Sequence, residues 1–429
     1  MKKILLSVSA LTLGVIALAS CGGNSSTNTV KGADGEEITL KQTSDATEVS
    51  KALYAVGTSA STEVKNIFAA EASLSAKADI SAAVMSYKIG AKLEANVDVK
   101  ASIGKDVKYS NYEYEEAPTE AQITEANNKF VQNVKLEATA DASLKTTASA
   151  VTTTKNAADT EEDPFVAMLN NQTASVEAKA CKDGDTLYAT ANAKVSDGLL
   201  GLVSNYVPAI QNTTMTSLDQ TFGVKAKFDL GEKAVDISNT INKVQNFEID
   251  SLIPTQTTTG SFYDTETFKT LVSYVEKLGV EISSVNNGVV KFELNLTGKK
   301  INALTEASNA VAEDTYLKAL NSVATTTLEN TSIFDDNKTY ISAYVSVDVA
   351  KALPKGLGVS IKDLAPIATL AQNMMPSSSS IGSILSMVEL SGSLSLDLGF
   401  NYNDDVKFNL SKNSFSNDVE YLTTTIAFD

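Results

Sequence analysis

Apolar and polar residues alternate along most of this chain, and the longest run covers seventeen positions. Tyr87, Ile89, Ala91, Leu93, Ala95, Val97, Val99, Ala101 and Ile103 alternate with Lys88, Gly90, Lys92, Glu94, Asn96, Asp98, Lys100 and Ser102. Successive side chains of a strand point to opposite faces, so the pattern predicts one long strand with an apolar face and a wet face. The same period recurs over Leu74–Ile80, Val134–Leu144, Val176–Ala180, Leu187–Val195, Phe222–Leu230, Val290–Leu296, Ile341–Val349, Leu390–Tyr402 and Leu422–Phe428. Asp183-Gly184 and Asn286-Asn287-Gly288 have the composition of hairpin turns. After the turn Asn403-Asp404-Asp405, Val406, Phe408 and Leu410 read as a returning strand.

Helical periodicity is confined to shorter stretches. Val49, Ala52, Leu53 and Val56 form one stripe behind Asp45 and Glu48, which have capping-box spacing, with Gly57 as the stop. Asp163-Pro164 reads as the start of a short helix, and Leu199–Tyr206 and Val235–Val244 as two more. Asp264 is expected to cap a helix carrying Phe268, Leu271, Val275 and Leu278 and ending at Gly279, and Lys362–Met374 is expected to be helical. The fold class that follows is α+β and β-rich: a large curled antiparallel sheet of long amphipathic strands with amphipathic helices packed on one face. Pro254–Gly260 is the best internal break. It separates a β-rich N-terminal half (36–253) from a C-terminal half (264–429) across a linker at 254–263, although one continuous domain would satisfy the same pattern.

The first residues carry an address. Met1-Lys2-Lys3 is positive, Ile4–Ala19 is mostly apolar, and Leu18-Ala19-Ser20-Cys21 is followed by Gly22-Gly23-Asn24-Ser25-Ser26. A charged start, an apolar stretch and small residues before a cleavage point make a secretory signal over 1–20, shorter than the ~20 apolar residues of a membrane span. Leu18–Cys21 resembles the lipobox of bacterial lipoproteins. The resemblance implies cleavage before Cys21, a covalent diacylglycerol or acyl lipid on its sulfur, and location on the extracytoplasmic face of the cell membrane. Residues 21–35 then read as a lipidated flexible tether.

Composition narrows the chemistry. The chain has no histidine, tryptophan or arginine, and all 35 basic residues are lysines. That removes His-based nucleophile systems, imidazole metal ligands and the bidentate arginine fork. The net charge is −17, and cleavage before Cys21 would remove only the basic Lys2 and Lys3. Such a surface repels nucleic acid and anionic head groups, so membrane attachment is left to the lipid. With Cys21 acylated, Cys181 has no partner for an internal disulfide.

Carboxylate pairs are the only abundant catalytic material: Glu115-Glu116, Glu161-Glu162-Asp163, Asp335-Asp336 and Asp404-Asp405. All fall in predicted turns or loops, where solvated turn residues explain them better than an acidic-pair hydrolase. Neither Asp183-Gly184-Asp185 nor Asp335-Asp336-Asn337 has the spacing of a calcium loop. Ser102-Ile103-Gly104-Lys105 ends a strand where a Ser-x-x-Lys nucleophile would open a helix. The reading is non-enzymatic, with no metal and no cofactor beyond the lipid on Cys21.

The alternating strands have more functional reach. Their apolar positions are rich in alanine, and Ala91, Leu93, Ala95, Val97, Ala138, Ala140, Ala189 and Ala191 form a candidate hydrophobic trough. A plain packed core satisfies the same pattern. The hairpin Lys182–Ala191 with the helical stretch Leu199–Tyr206 resembles curled-sheet lipoprotein carriers of the Lol type and their lipid-shuttling relatives. That likeness implies helices packed in a half-open sheet and a lipid or other hydrophobic small molecule held between. The alternative is a structural or adhesion surface lipoprotein with a filled core and loop-borne interactions. Oligomeric state has no signature in the sequence.

Overall fold

The structure is a computed structural model that describes residues 28–58, 66–84, 87–112, 117–150, 163–206, 218–246, 261–301, 334–350, 353–366, 368–369, 388–416 and 419–427. The expected signal with Cys21, the acidic pairs at 115–116 and 161–162, the break at Pro254–Gly260 and residues 367 and 370–374 of the expected helix Lys362–Met374 lie outside these residues.

A 12-stranded open sheet contains the strands β3 (Ala69–Val84), β4 (Tyr87–Ser102), β5 (Lys135–Ala150), β6 (Thr173–Asp183), β7 (Thr186–Val195), β8 (Leu218–Asp229), β9 (Val280–Asn286), β10 (Val289–Thr297), β11 (Thr339–Asp348), β12 (Leu353–Ile361), β13 (Val388–Tyr402) and β14 (Tyr421–Ala427). Their order is β14-β8-β7-β6-β5-β4-β3-β13-β12-β11-β10-β9. The β-rich α+β class holds, with one change: the sheet is mixed, because β14 runs parallel to β8. The expected returning strand at Val406–Leu410 does not form. Backbone donors at Asn409 and Leu410 are taken instead by the Glu137 carboxylate, and the segment crosses the wet face as an irregular strap.

The chain forms two compact units that are not the sequential halves. The first takes the described parts of Met1–Glu63, Lys77–Gly90 and Ile249–Leu398; the second takes those of Val64–Ala76, Ala91–Glu248 and Gly399–Asp429. The long strands β3, β4 and β13 supply residues to both, which interleaves stretches that are distant in sequence.

In the first unit, α1 (Ala46–Thr58) and α6 (Glu266–Leu278) close one face of the sheet. Val49, Ala52, Ala55, Val56 and Val275 pack with Ile282, Val290, Phe292, Val345 and Val347 in a filled core. The Asp45 carboxylate accepts the Glu48 N–H at 2.9 Å, but Glu48 reaches Lys41 (3.1 Å), so the capping box is half made. The cap of α6 is Thr265, one residue past the expected Asp264, which is held in a 3-10 turn (Phe262–Asp264). Gly279 ends α6 at φ 63°, a left-handed conformation that glycine adopts without a Cβ penalty. Part of the stretch 21–35, expected to be flexible, is ordered. β1 (Thr29–Lys31) pairs with β2 (Glu37–Thr39), Val30 is buried, and the Asp34 carboxylate accepts the Phe262 N–H at 3.0 Å.

In the second unit, α2 (Glu120–Asn133) and α5 (Lys233–Gln245) pack on each other through Ala126, Phe130, Ala234 and Val235 and cover Leu136 and Leu187. Thr119 and Gln122 form the capping box that starts α2. At the other end of β5, α3 (Pro164–Leu169) and α4 (Asp197–Tyr206) meet; Thr146 donates to the Leu169 carbonyl, and Ala148, Val166 and Leu200 are buried.

Candidate functional site

The eight candidate trough positions all lie on one face of the second unit. Ala138 is in register with Ala180, and Ala180 with Ala189; the next row is Ala140, Ala178, Ala191 and Phe222. On β4, Asn96 donates to Asp141 (2.9 Å) and Lys100 to Glu137 (2.8 Å) across the wet face. Ala91, Leu93, Ala95 and Val97 therefore share the opposite face with Ala138 and Ala140.

That face is not the buried one the alternation implied. None of the eight is buried, Leu93 is 43% exposed, and Val99, Val176 and Phe222 around them are 47%, 45% and 50% exposed. The reason is where the helices sit. They cover the two ends, at Leu136 with Leu187 and at Thr146 with Ala148, and leave the alanine rows between them half open. Leu136 to Thr146 spans about 34 Å at ~3.4 Å per residue. Lys182 marks one end of the open stretch. Its stem lies on the apolar face, and its ammonium donates to the carbonyls of Val131 (2.9 Å) and Val134 (2.8 Å) at the C-terminus of α2. Burial pulls this ammonium below the ordinary lysine range against the opposing charges of Asp185 and Asp183.

The wet face, by contrast, is locally covered. The strap after Tyr402 is held by a buried ion pair: Lys100 Nζ donates to Glu137 Oε1 (2.8 Å) and to the Lys407 carbonyl (2.7 Å), with Glu71 at 3.7 Å. Glu137 Oε2 accepts the N–H groups of Asn409 (2.6 Å) and Leu410 (2.7 Å). Burial alone would push the Glu137 carboxyl up; the Lys100 ammonium and the two N–H donors outweigh it and hold the carboxyl below its usual range. Farther on, Phe415 is buried against Tyr188 (centroids 5.8 Å apart). Cys181, in register with Glu137, is buried on this face, and burial raises its thiol pKa, the opposite of an activated nucleophile. Beside the strap, Lys179, Thr190, Asn192, Thr221, Ser416 and Val419 are among the residues lining a recess of about 440 Å³.

The described acidic pairs sit in turns. Asp335 Oδ1 accepts the Asn337 N–H at 2.9 Å, and Asp404-Asp405 lies in a 3-10 turn. Gly184 takes φ 62° in the hairpin turn at Asp183-Gly184-Asp185. Among the described residues no group of three His, Cys, Asp or Glu side chains is placed to hold a metal, and no helix is long and apolar enough to cross a membrane. Sequence reasoning missed the Lys100–Glu137 latch, whose signal was present only as two charges of opposite sign on alternating strands. The half-open alanine face is thus an apolar surface left partly exposed among the described residues, and neither a protein-family model, a curated protein nor a solved structure matches the chain.

Proposed function

We propose that this is an exported lipoprotein of the cell envelope, anchored through a lipid on Cys21, that binds a lipid or other hydrophobic ligand on the alanine face of its second unit without catalysing a reaction. The observation that carries the reading is the exposure of that face. Contiguous apolar surface of this kind costs solvation free energy unless something covers it, and it is a recurrent mark of ligand or partner sites. Alanine rows between helix-covered ends give a floor low enough to admit a ligand, whereas leucine or phenylalanine there would fill it. The filled core of the first unit is what a purely structural or adhesion lipoprotein would have throughout, so the two readings differ at the second unit alone.

The test has two arms. Metabolic labelling with an alkyne fatty acid is expected to mark the wild-type chain and not Cys21→Ser. Protein purified from membranes, extracted with organic solvent and analysed by mass spectrometry, is expected to release an apolar ligand beyond the anchor. The double variant Ala140→Phe/Ala191→Phe is expected to release much less while keeping its stability within about 1 kcal/mol, because both positions are half open; in a packed core each change would cost ~1–3 kcal/mol. A ligand-free wild type together with strong destabilisation by the pair would defeat the binding reading in favour of the structural one.

A further inference from the structure

The two ends of the sheet are treated differently. At β9, the outer edge is already engaged: Ile282 and Thr43 exchange backbone hydrogen bonds of 2.9 and 3.2 Å, and a register shift interrupts the strand's inner pairing at Lys291/Phe292. β14, the last strand in the order at the other end, shows none of the devices that keep edges apart among the described residues. Its 7 residues, Tyr-Leu-Thr-Thr-Thr-Ile-Ala, include no charge, proline or glycine, and Leu422 is 68% exposed. In a chain of net charge −17 this is a neutral, β-prone strip.

We infer that β14 is a docking edge for a second copy of this chain, paired antiparallel about a two-fold axis at Thr424. The strand is self-complementary about that residue. Antiparallel pairing sets Tyr421 opposite position 427 of the second copy, Leu422 opposite 426, Thr423 opposite 425, and Thr424 opposite itself. Leu422, already beside Val224 of its own chain, gains an isoleucine position on its open side. Charge favours the same arrangement. The strand itself carries no charge, and Glu420, which precedes it, would have its two copies about 27 Å apart at ~3.4 Å per residue. That is beyond the ~8 Å screening length at physiological ionic strength. Because Thr43 occupies the β9 edge, head-to-tail joining of β14 to β9 is blocked, and the pairing closes as an isologous dimer instead of growing into a filament. The inference does not depend on what the alanine face binds.

The test uses the full chain, solubilised from membranes in mild detergent, with light scattering corrected for bound detergent. The wild type is expected at twice the protomer mass and Thr424→Lys at the protomer mass, since two ammonium groups would meet at the axis. Thr424 is exposed and its replacement leaves the core untouched, which matching circular dichroism spectra check. Mixing Thr424→Lys with Thr424→Glu is expected to restore the doubled mass. As an independent readout, Thr424→Cys oxidised in membranes is expected to give a covalent dimer above the wild-type background from the buried Cys181. A protomer-mass wild type, a dimer indifferent to lysine at 424, or no added crosslink from Thr424→Cys would each overturn the inference.

Discussion

Removing the Glu137 side chain tests the physical reasoning most directly, because one carboxylate serves three donors. Glu137 and Lys100 are 4% and 8% exposed, so neither charge is repaid by water. Glu137→Ala leaves the Lys100 ammonium with the Lys407 carbonyl at 2.7 Å and Glu71 at 3.7 Å, and leaves the Asn409 and Leu410 N–H groups unanswered. Breaking a buried pair by deleting one partner costs ~3–5 kcal/mol. Orphaned N–H groups add ~1–3 kcal/mol unless the strap lifts into water. Since lifting relieves them and Glu71 remains near Lys100, the net expectation is about 3–5 kcal/mol, and about 1–3 kcal/mol for Glu137→Gln, which keeps one acceptor.

Two measurements check this. Denaturation by urea gives the stability change, and amide hydrogen exchange locates it. Exchange is expected to accelerate across Asn403–Ser411 but less at Phe415, which stays packed on Tyr188. The pH dependence follows from the directions of the shifts. Glu137 is held below its ordinary 4.5, so its contribution is complete above that pH and is lost as pH falls through the lower folded value. Burial lowers the Lys100 pKa, but the hydrogen bond and charge of Glu137 outweigh it and hold the ammonium above 10.5. Its contribution is complete below 10.5 and is lost as pH rises through the higher folded value. The latch therefore works fully between these limits. A Glu137→Ala chain that loses under ~1 kcal/mol, with unchanged exchange at Asn409 and Leu410, would refute the assignment of the strap to this ion pair.

Two further substitutions probe single contacts. Asn96→Asp replaces the 2.9 Å hydrogen bond to Asp141 with facing carboxylates and is expected to cost about 0.5–1 kcal/mol in denaturant titrations, recovered at high salt. Gly392→Ala is expected to cost about 3 kcal/mol or more in thermal unfolding, because Gly392 sits at φ 127° and an added Cβ would fall 1.8 Å from the Asp79 carbonyl oxygen.

Elements were legible where local chemistry alone decides them. Strict alternation located β4, and Asn287 at φ 49° with Gly288 at φ 77° made the expected turn between β9 and β10. β12 escaped notice because Gly356 and Gly358 interrupt its alternation. A Cβ at Gly358 would meet the Tyr344 ring at 2.3 Å, so a residue on the neighbouring strand occupies the space that a side chain in β12 would have filled. α2 escaped for a different reason: its apolar stripe is thin, and its burial at Ala126 and Phe130 depends on α5, about a hundred residues later in the chain. The cap of α6 shifted from Asp264 to Thr265 because the preceding 3-10 turn competes for the same backbone.

The central misreading lies at two adjacent residues. By period, Val99 belongs inside and Lys100 outside; in the structure Val99 is 47% exposed and Lys100 only 8%. Alternation separates two faces of a strand but does not say which face another element covers. Coverage depends on long-range partners. The strap that buries Lys100 leaves β13 three hundred residues later, and it was masked by Val406, Phe408 and Leu410, whose spacing mimics a strand. Among the described residues helices cover the apolar face at its ends, and the middle is half open. The same pattern thus leads to opposite outcomes in the two units, a filled core under α1 and α6 and an open alanine floor between α2 with α5 and α3 with α4. Burying a lysine while exposing a valine would be poor design for a core. It is intelligible if the wet face is fixed by specific hydrogen bonds so that the apolar face can remain accessible. Tightening that face with larger side chains should then change what the protein holds more than how stably it folds.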